Sequence, residues 1–299
     1  MTGRNQAAQA GKMLITGADG LLGKEICRTF SSSYEILATG RAECDVTSAK
    51  ACMRHVGGFL PDVVFHCAAY TAVDRAEQEE EIAFDINAGG TRNVALACRE
   101  HRALLVTFGT DYVFDGTSKR PYEEDDPTSP LSAYGRSKLA AEKVVQEVAP
   151  DFLLLRTQWL FGATGRNFAL SVLARAEKGE ELKVVSDQRG CPTYTKDLAD
   201  AARRLLDAGA RGIFHFSNEG ETTFYDYAAF LLAHAGMGRS RLSALSSQDL
   251  PRKAYPAPRP AYAVLNKDKY RKATGVFPRR WEDAVTDFLR NREREGTAG

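Results

Sequence analysis

The sequence predicts an α/β fold, a doubly wound parallel sheet followed by a smaller, mostly helical C-terminal lobe. Three observations predict it. Short β-rich runs alternate with helical stretches, the runs are apolar throughout, and the alternation ends near Arg156, after which helices dominate. A strand that is apolar on both sides is buried on both faces, which is the situation of parallel strands joined by βαβ crossovers.

In order, strands are expected over 13–16, 35–39, 63–67, 104–108 and 152–155, each next to a helix-like stretch. The segment before them, residues 1–12, is polar and Ala/Gln-rich and reads as a frayed tail. A helix over about 167–178 leads to a strand over 182–185. A second helix over 195–206 follows, and 213–217 returns as a late strand of the first sheet. Thr223 and Asp226 have capping-box spacing ahead of a helix over 223–235. Residues 251–260 carry Pro251, Pro256, Pro258 and Pro260 and read as a loop. Trp281, Val285, Phe288 and Leu289 form a helical stripe near the end. The expected division is a nucleotide-binding domain over 12–156, with 186–217 returning to it, and a substrate lobe from 157–185 and 218–299.

Composition narrows the function. The 299 residues balance 40 Lys and Arg against 39 Asp and Glu, a net charge of +1 with no basic stripe for nucleic-acid phosphates. No run of about 18 apolar residues could span a bilayer. Cys27, Cys44, Cys52, Cys67, Cys98 and Cys191 are scattered without a C-x-x-C pair, which suits a reducing compartment, and a cytoplasmic protein is expected. The five His residues have no metal-ligand spacing, so no metal is expected.

The first strand ends in Gly17-Ala18-Asp19-Gly20-Leu21-Leu22-Gly23, and a helix begins there. Glycines at this spacing let a pyrophosphate approach the backbone and the positive end of the helix, as in a Rossmann-type nucleotide fold. Taken alone, it also reads as an ordinary Gly-rich turn. Arg41 stands at the end of the second strand, where NAD-specific proteins place an acid for the ribose hydroxyls. An Arg there pairs with a 2′-phosphate and points to NADPH, with NADH as a further possibility; a solvated surface Arg explains it equally. Asp45 and Val46 follow, where such folds bring a loop over the adenine.

Tyr134 and Lys138 lie four positions apart at the start of a helical stretch, on one helix face. The ammonium is expected to lower the phenol pKa and to bind the nicotinamide ribose, and the phenol to protonate a carbonyl. Chance alone often produces this spacing. Its context does not: the strand over 104–108 leads into Gly109 and Thr110 at the ligand-binding carboxyl edge, where Thr110 can hold the oxygen that Tyr134 protonates. Asp111 beside it also reads as a loop-capping acid.

With these residues the chain resembles the dTDP-4-dehydrorhamnose reductases of the extended short-chain dehydrogenase/reductases. The resemblance runs from Met13 to about Phe288. It is carried by Ala68-Ala69-Tyr70-Thr71-Ala72-Val73-Asp74-Arg75-Ala76-Glu77, Thr110-Asp111-Tyr112-Val113-Phe114, Tyr134-Gly135-Arg136-Ser137-Lys138, Arg156-Thr157-Gln158-Trp159 and Asp187-Gln188-Arg189-Gly190-Cys191-Pro192-Thr193. It implies a catalytic set of Thr110, Tyr134 and Lys138. It also implies cofactor contacts at Ala68, Ala69 and Tyr70, and a substrate site including Val73, Asp111, Tyr112 and Trp159, with Asn167 and Arg259 near the substrate diphosphate. Trp159 as plain core and Arg259 as a surface charge stand beside that reading.

The implied reaction is reduction of the C4 keto group of dTDP-4-dehydro-6-deoxy-L-mannose to dTDP-L-rhamnose by a monomer or homodimer. The chain departs from the pattern at Gly109, where Ser is usual, and at Cys191, where Ala or Ser is usual. Trp281-Glu282-Asp283 does not reproduce the glutamates through which some relatives bind magnesium at a dimer contact. Alternatives are another NDP-sugar reductase of the extended family, a 4-epimerase, a 4,6-dehydratase and a non-catalytic regulatory subunit of methionine adenosyltransferase. Dehydration is disfavoured because Tyr112 stands where a dehydratase has its Glu base.

Overall fold

The computed structural model describes residues 11–238 and 241–296, with no side-chain description beyond residue 292. Residues 1–10 of the expected tail lie outside the described residues, but Gly11 and Lys12 do not belong to a tail. They open strand β1 (Gly11–Thr16), where they pair with Tyr34 and Glu35.

From β1 the chain alternates through α1 (Leu21–Phe30), β2 (Tyr34–Thr39), α2 (Ala49–Phe59) and β3 (Val63–His66). Two short helices, α3 (Val73–Ala76) and α4 (Glu80–Phe84), and a π-helical turn at Asp85–Gly89 lead into α5 (Gly90–His101). Then come β4 (Leu104–Thr110), α6 (Ala133–Val148) and β5 (Phe152–Thr157). The later part holds β6 (Leu160–Phe161), α7 (Phe168–Glu177), β7 (Leu182–Val185), β8 (Arg189–Gly190), β9 (Thr193–Tyr194), α8 (Thr195–Asp207) and β10 (Gly212–His215). It closes with β11 (Thr222–Thr223), α9 (Phe224–His234), β12 (Leu242–Leu245), α10 (Asp268–Thr274) and α11 (Trp281–Gly296).

Six parallel strands form the main sheet in the order β10-β5-β4-β3-β1-β2. The expected late strand is β10, displaced toward the N-terminus from 213–217 and paired to β5. Neighbouring residues of each central strand are buried on opposite faces, which is why the runs are continuously apolar. Met13, Ile15, Phe65 and Val106 pack with Leu22, Ile26 and Phe30 of α1 and Leu198 and Leu205 of α8. Leu14, Val64 and Leu105 pack with Val56 of α2, Cys98 of α5 and Val145 of α6. The strand order reverses between β1 and β3, so the crevice beyond their carboxyl ends is where a doubly wound sheet receives its ligand.

A separate apolar cluster joins Phe161, Leu173, Leu182, Tyr194, Tyr227, Leu231, Val285 and Phe288. Helices α7, α9 and α11 supply most of it, and Thr223 caps α9 by accepting from the Asp226 amide at 3.0 Å. Small pairings β6–β9, β7–β12 and β8–β11 knit this part together, so its helices are not its only regular structure. Cys191 and Tyr194 pack in this cluster, whereas α8, from Leu198 on, packs against the main sheet. Residues 251–260 form no helix or strand.

Candidate active site

The turn after β1 approaches the end of β3 closely. Gly17 has φ +67°, and a Cβ there would lie 2.6 Å from the Ala68 amide nitrogen; a Cβ on Gly23 would lie 2.2 Å from the Gly17 carbonyl oxygen. Only hydrogen fits at these two positions, and the cradle they leave opens toward the first turn of α1. Gly17, Asp19, Gly20, Arg41, Asp45, Val46, Ala68 and Ala69 line a pocket of about 270 Å³ over this turn. Arg41 projects into solvent with a side chain 83% exposed, 3.9 Å from the Asp45 carboxylate. Asp45 accepts from the Thr47 amide and hydroxyl, and these bonds hold its carboxyl below its ordinary pKa.

A neighbouring cavity of about 440 Å³ continues from Gly20–Gly23 along the carboxyl ends of β3, β4 and β5. Leu21, Leu22, Ala68, Ala69 and Val73 line it, with Thr110, Asp111, Tyr112, Tyr134, Lys138 and Trp159. Helix α6 presents Tyr134 and Lys138 in its first turns because Ser132 stops the chain there, its hydroxyl accepting from the Gly135 amide at 3.1 Å. Thr110, the last residue of β4, donates to Asp111 Oδ1 at 2.9 Å and accepts from the Tyr112 amide at 3.2 Å.

Burial dominates the electrostatics. It pushes the Tyr134 phenol well above its ordinary range; the Asp111 charge adds to this, and a hydrogen bond with Thr110 opposes it. The expected lowering by Lys138 is not seen, because that ammonium is turned to the Phe108 carbonyl oxygen at 2.8 Å. Burial pulls Lys138 itself down to about 8, against the nearby Glu142 carboxylate, and lifts Asp111 to about 7. His66 at the end of β3 is spanned by Thr16 and Thr91 hydroxyls, and burial holds it near 3, so it is a neutral structural imidazole.

Behind Lys138 lies a buried ion pair. Glu142, one turn along α6, meets Arg156 of β5 at 2.9 Å with side chains 2% and 4% exposed, and Arg156 continues to His215 Nε2 at 3.3 Å. This pair explains the departure at Gly109. A Cβ there would lie 2.5 Å from Glu142 Oε1, 2.9 Å from Arg156 Cγ and 3.0 Å from Leu154 Cδ2.

Trp159 is neither plain core nor surface. It adopts φ +46° and stacks on Phe224 with centroids 3.7 Å apart, leaving part of the indole on the cavity wall. Arg259 is held bidentately by Asp74, at 3.1 and 2.6 Å, and borders a second cleft of about 230 Å³ with Phe168, Lys183 and Tyr255. The side chains of two expected residues already have partners. The Tyr70 hydroxyl donates to Glu79 at 2.5 Å, and Asn167 is spent as the cap of α7, accepting from Leu170 and donating to the Gly162 carbonyl oxygen. Thr157, Gln158 and Arg166, which carried no expected role, also line the main cavity.

The reversal of strand order over a glycine cradle, with a Tyr/Lys helix and a strand-end Thr beside it, defines a short-chain dehydrogenase/reductase-type protein. The chain belongs to the family described as the RmlD substrate binding domain, which it matches over residues 11–294. A probable dTDP-4,6-dihydroxy-2-methyloxan-3-one 4-ketoreductase of Streptomyces antibioticus is 43% identical over 282 residues, covering 92% of this chain and 94% of that protein. A dTDP-4-dehydrorhamnose reductase of Streptomyces griseus is 40% identical over 284 residues, with 92% of each chain covered. Among solved structures, the dTDP-4-dehydrorhamnose reductase of Bacillus anthracis in complex with NADP superposes with a TM-score of 0.91 at 33% identity, covering 95% of this chain and all of that one.

Proposed function

We propose that this chain reduces the C4 keto group of dTDP-4-dehydrorhamnose to give dTDP-L-rhamnose, with NADPH as reductant. The observation that carries the reading is the convergence of Thr110, Tyr134 and Lys138 on the one cavity that runs on from the glycine cradle. The names of the relatives, two of them 4-keto-sugar reductases, support the same chemistry.

The residues present fit a dinucleotide. Gly17 and Gly23 leave room for a pyrophosphate that any Cβ would fill, and the solvent-facing Arg41 is placed for a 2′-phosphate. When bound, the reduced nicotinamide supplies the hydride. Lys138, currently turned to the Phe108 carbonyl oxygen, offers its remaining N–H bonds to the ribose. Thr110, its hydroxyl hydrogen turned from Asp111 to the substrate, holds the keto oxygen beside the Tyr134 hydroxyl, whose proton passes to that oxygen as it gains charge. A phenol raised by burial keeps its proton at neutral pH, as an acid must before the reaction. Val73, Asp111, Tyr112 and Trp159 enclose the sugar, and Arg259 stands at the diphosphate once it exchanges Asp74 for phosphate oxygens. Tyr70 and Asn167 act indirectly, by shaping the loops that they tie.

Among the described residues, no helix is long and apolar enough to cross a membrane, and no His, Cys, Asp and Glu side chains cluster as a metal site. All six thiols are free, which together with NADPH use supports work in the cytoplasm, by a monomer or a homodimer.

The test is incubation with dTDP-4-dehydrorhamnose and NADPH, followed by identification of the sugar product, with Tyr134→Phe in parallel. The expected result is dTDP-L-rhamnose from the wild type, and a variant that binds NADPH normally but turns over at least about a hundredfold more slowly. A variant reducing the sugar at the wild-type rate would remove Tyr134 from its role.

A further inference from the structure

Seven buried side-chain polar atoms have no partner among the described residues, and three of them belong to residues lining the main cavity. These are Asp111 Oδ2, Thr157 Oγ1 and Gln158 Nε2. Such an atom costs free energy unless something pairs with it, and these three, closed off from solvent, belong to residues at the edge of one cavity. Thr157 is the register partner of Thr110 across β4 and β5, so Gln158 follows directly on the strand end that lies beside Thr110.

The orientation of the Gln158 carboxamide is settled by chemistry. The Cys191 amide donates to Gln158 Oε1 at 3.1 Å, and since a backbone N–H can only donate, the atom facing it is the oxygen. The NH2 group is therefore the unpaired end. Its seat is shared with Trp159. A Cβ on Gly190 would lie 2.7 Å from Gln158 Oε1 and 2.7 Å from the Trp159 ring atoms Cε2 and Cζ2, so carboxamide and indole occupy one wall over that glycine. Gly190 and Cys191, conspicuous in the sequence without an evident task, thus seat the indole and hold the carboxamide oxygen. Trp159, next in the chain, holds the left-handed φ +46° that a bulky residue adopts only where surrounding structure enforces it.

We infer that Gln158 is a specificity-determining residue whose Nε2, closed off from solvent here, swings about the Cys191-held oxygen to donate to the C2 or C3 hydroxyl of the hexose, with Gly190 and Cys191 as its positioning partners. The inference rests on the reading of the site as a keto-sugar reductase. It gives that reading a sugar-discriminating contact apart from the groups at C4: Thr110 and Tyr134 take the keto oxygen, and Gln158 reads an adjacent hydroxyl. Near-identical catalytic sets can thereby serve different 4-keto-sugars, since a buried donor left unpaired penalises the sugar lacking its acceptor.

The experiment measures kcat/KM of wild type and Gln158→Met, with saturating NADPH, on the parent keto-sugar and its 2-deoxy and 3-deoxy analogues. The variant should lose roughly 10- to 100-fold on the parent. One analogue should show that loss already with the wild type and no further loss with the variant, while the NADPH dissociation constant stays unchanged. Equal losses on all three sugars, or none, would overturn the inference and leave Gln158 a structural amide. If Gln158→Met does not bind NADPH, Gln158→Glu replaces it, because its carboxylate still accepts from the Cys191 amide. A change in its sugar preference upholds the inference, and a uniform effect overturns it. Wild-type turnover of the parent sugar is a separate readout, so failure of the enzymatic reading is distinguishable from failure of the Gln158 assignment.

Discussion

Lys138 shows how one residue carries the fold's chemistry and its liability together. Burial draws its ammonium down to about 8, so the charge meant for the cofactor is lost well below the ordinary range for lysine. Glu142 on its own helix supports that charge, while the Cys67 thiol just beyond β3, kept protonated by burial, and neutral His66 add none. NADPH should therefore bind more weakly as pH rises from 7 to 9.5, with the dissociation constant inflecting near 8. Fluorescence titration across that range checks this, and Lys138→Met should bind weakly with no inflection. A wild-type constant that stays flat would place Lys138 outside the ribose contact. Tyr134 and Lys138 were legible as a pair because helix geometry makes i and i+4 neighbours. That Lys138 turns to Phe108 was not legible, since nothing local to α6 says which carbonyl β4 will present. Asn167 was open to two readings for a related reason: a polar residue before a helical run is a cap as readily as a ligand, and here it caps α7.

Among elements, the central strands and the large helices could be read from sequence because burial on both faces leaves an unmistakable apolar run. The two-residue strands β6, β8, β9 and β11 could not, since each exists only through a partner brought in by the rest of the chain. The same holds for β12, whose pairing to β7 joins residues 60 positions apart and whose own residues are only partly buried. Gly109 illustrates a glycine whose reason lies in another element. It has no turn to make within β4; it yields space to the Glu142–Arg156 pair between α6 and β5. Gly109→Ala should cost about 1–3 kcal/mol, because the carboxylate it would displace is locked by Arg156 and cannot swing aside. Urea unfolding followed by circular dichroism reads this as a lower midpoint at unchanged slope. An unaltered midpoint would mean that the pair relaxes freely.

At the scale of the whole molecule, the chain builds its sheet out of sequence order. Five strands are complete by Thr157, but the sixth, β10, joins only after α7, α8 and the β6–β9 pairing. The nucleotide half is therefore closed by residues that lie beyond the first part of the substrate half, and α8 and β10 tie the two together. On a ribosome adding roughly 5–20 residues per second, β5 waits on the order of 3 to 10 seconds for its neighbour. Through that interval the unpaired hydrogen-bonding rim of Phe152–Thr157, a run of three leucines at its centre, is a template for any other extended chain. A fragment ending at residue 211 should keep that rim for good and pellet in sedimentation at concentrations where the full chain stays dispersed. Equal dispersal of the two would mean that something else shields β5. If the fragment does pellet, β10 is a guard against self-association during synthesis as well as a part of the sheet, and a premature stop before residue 212 would yield aggregate in place of a crippled enzyme.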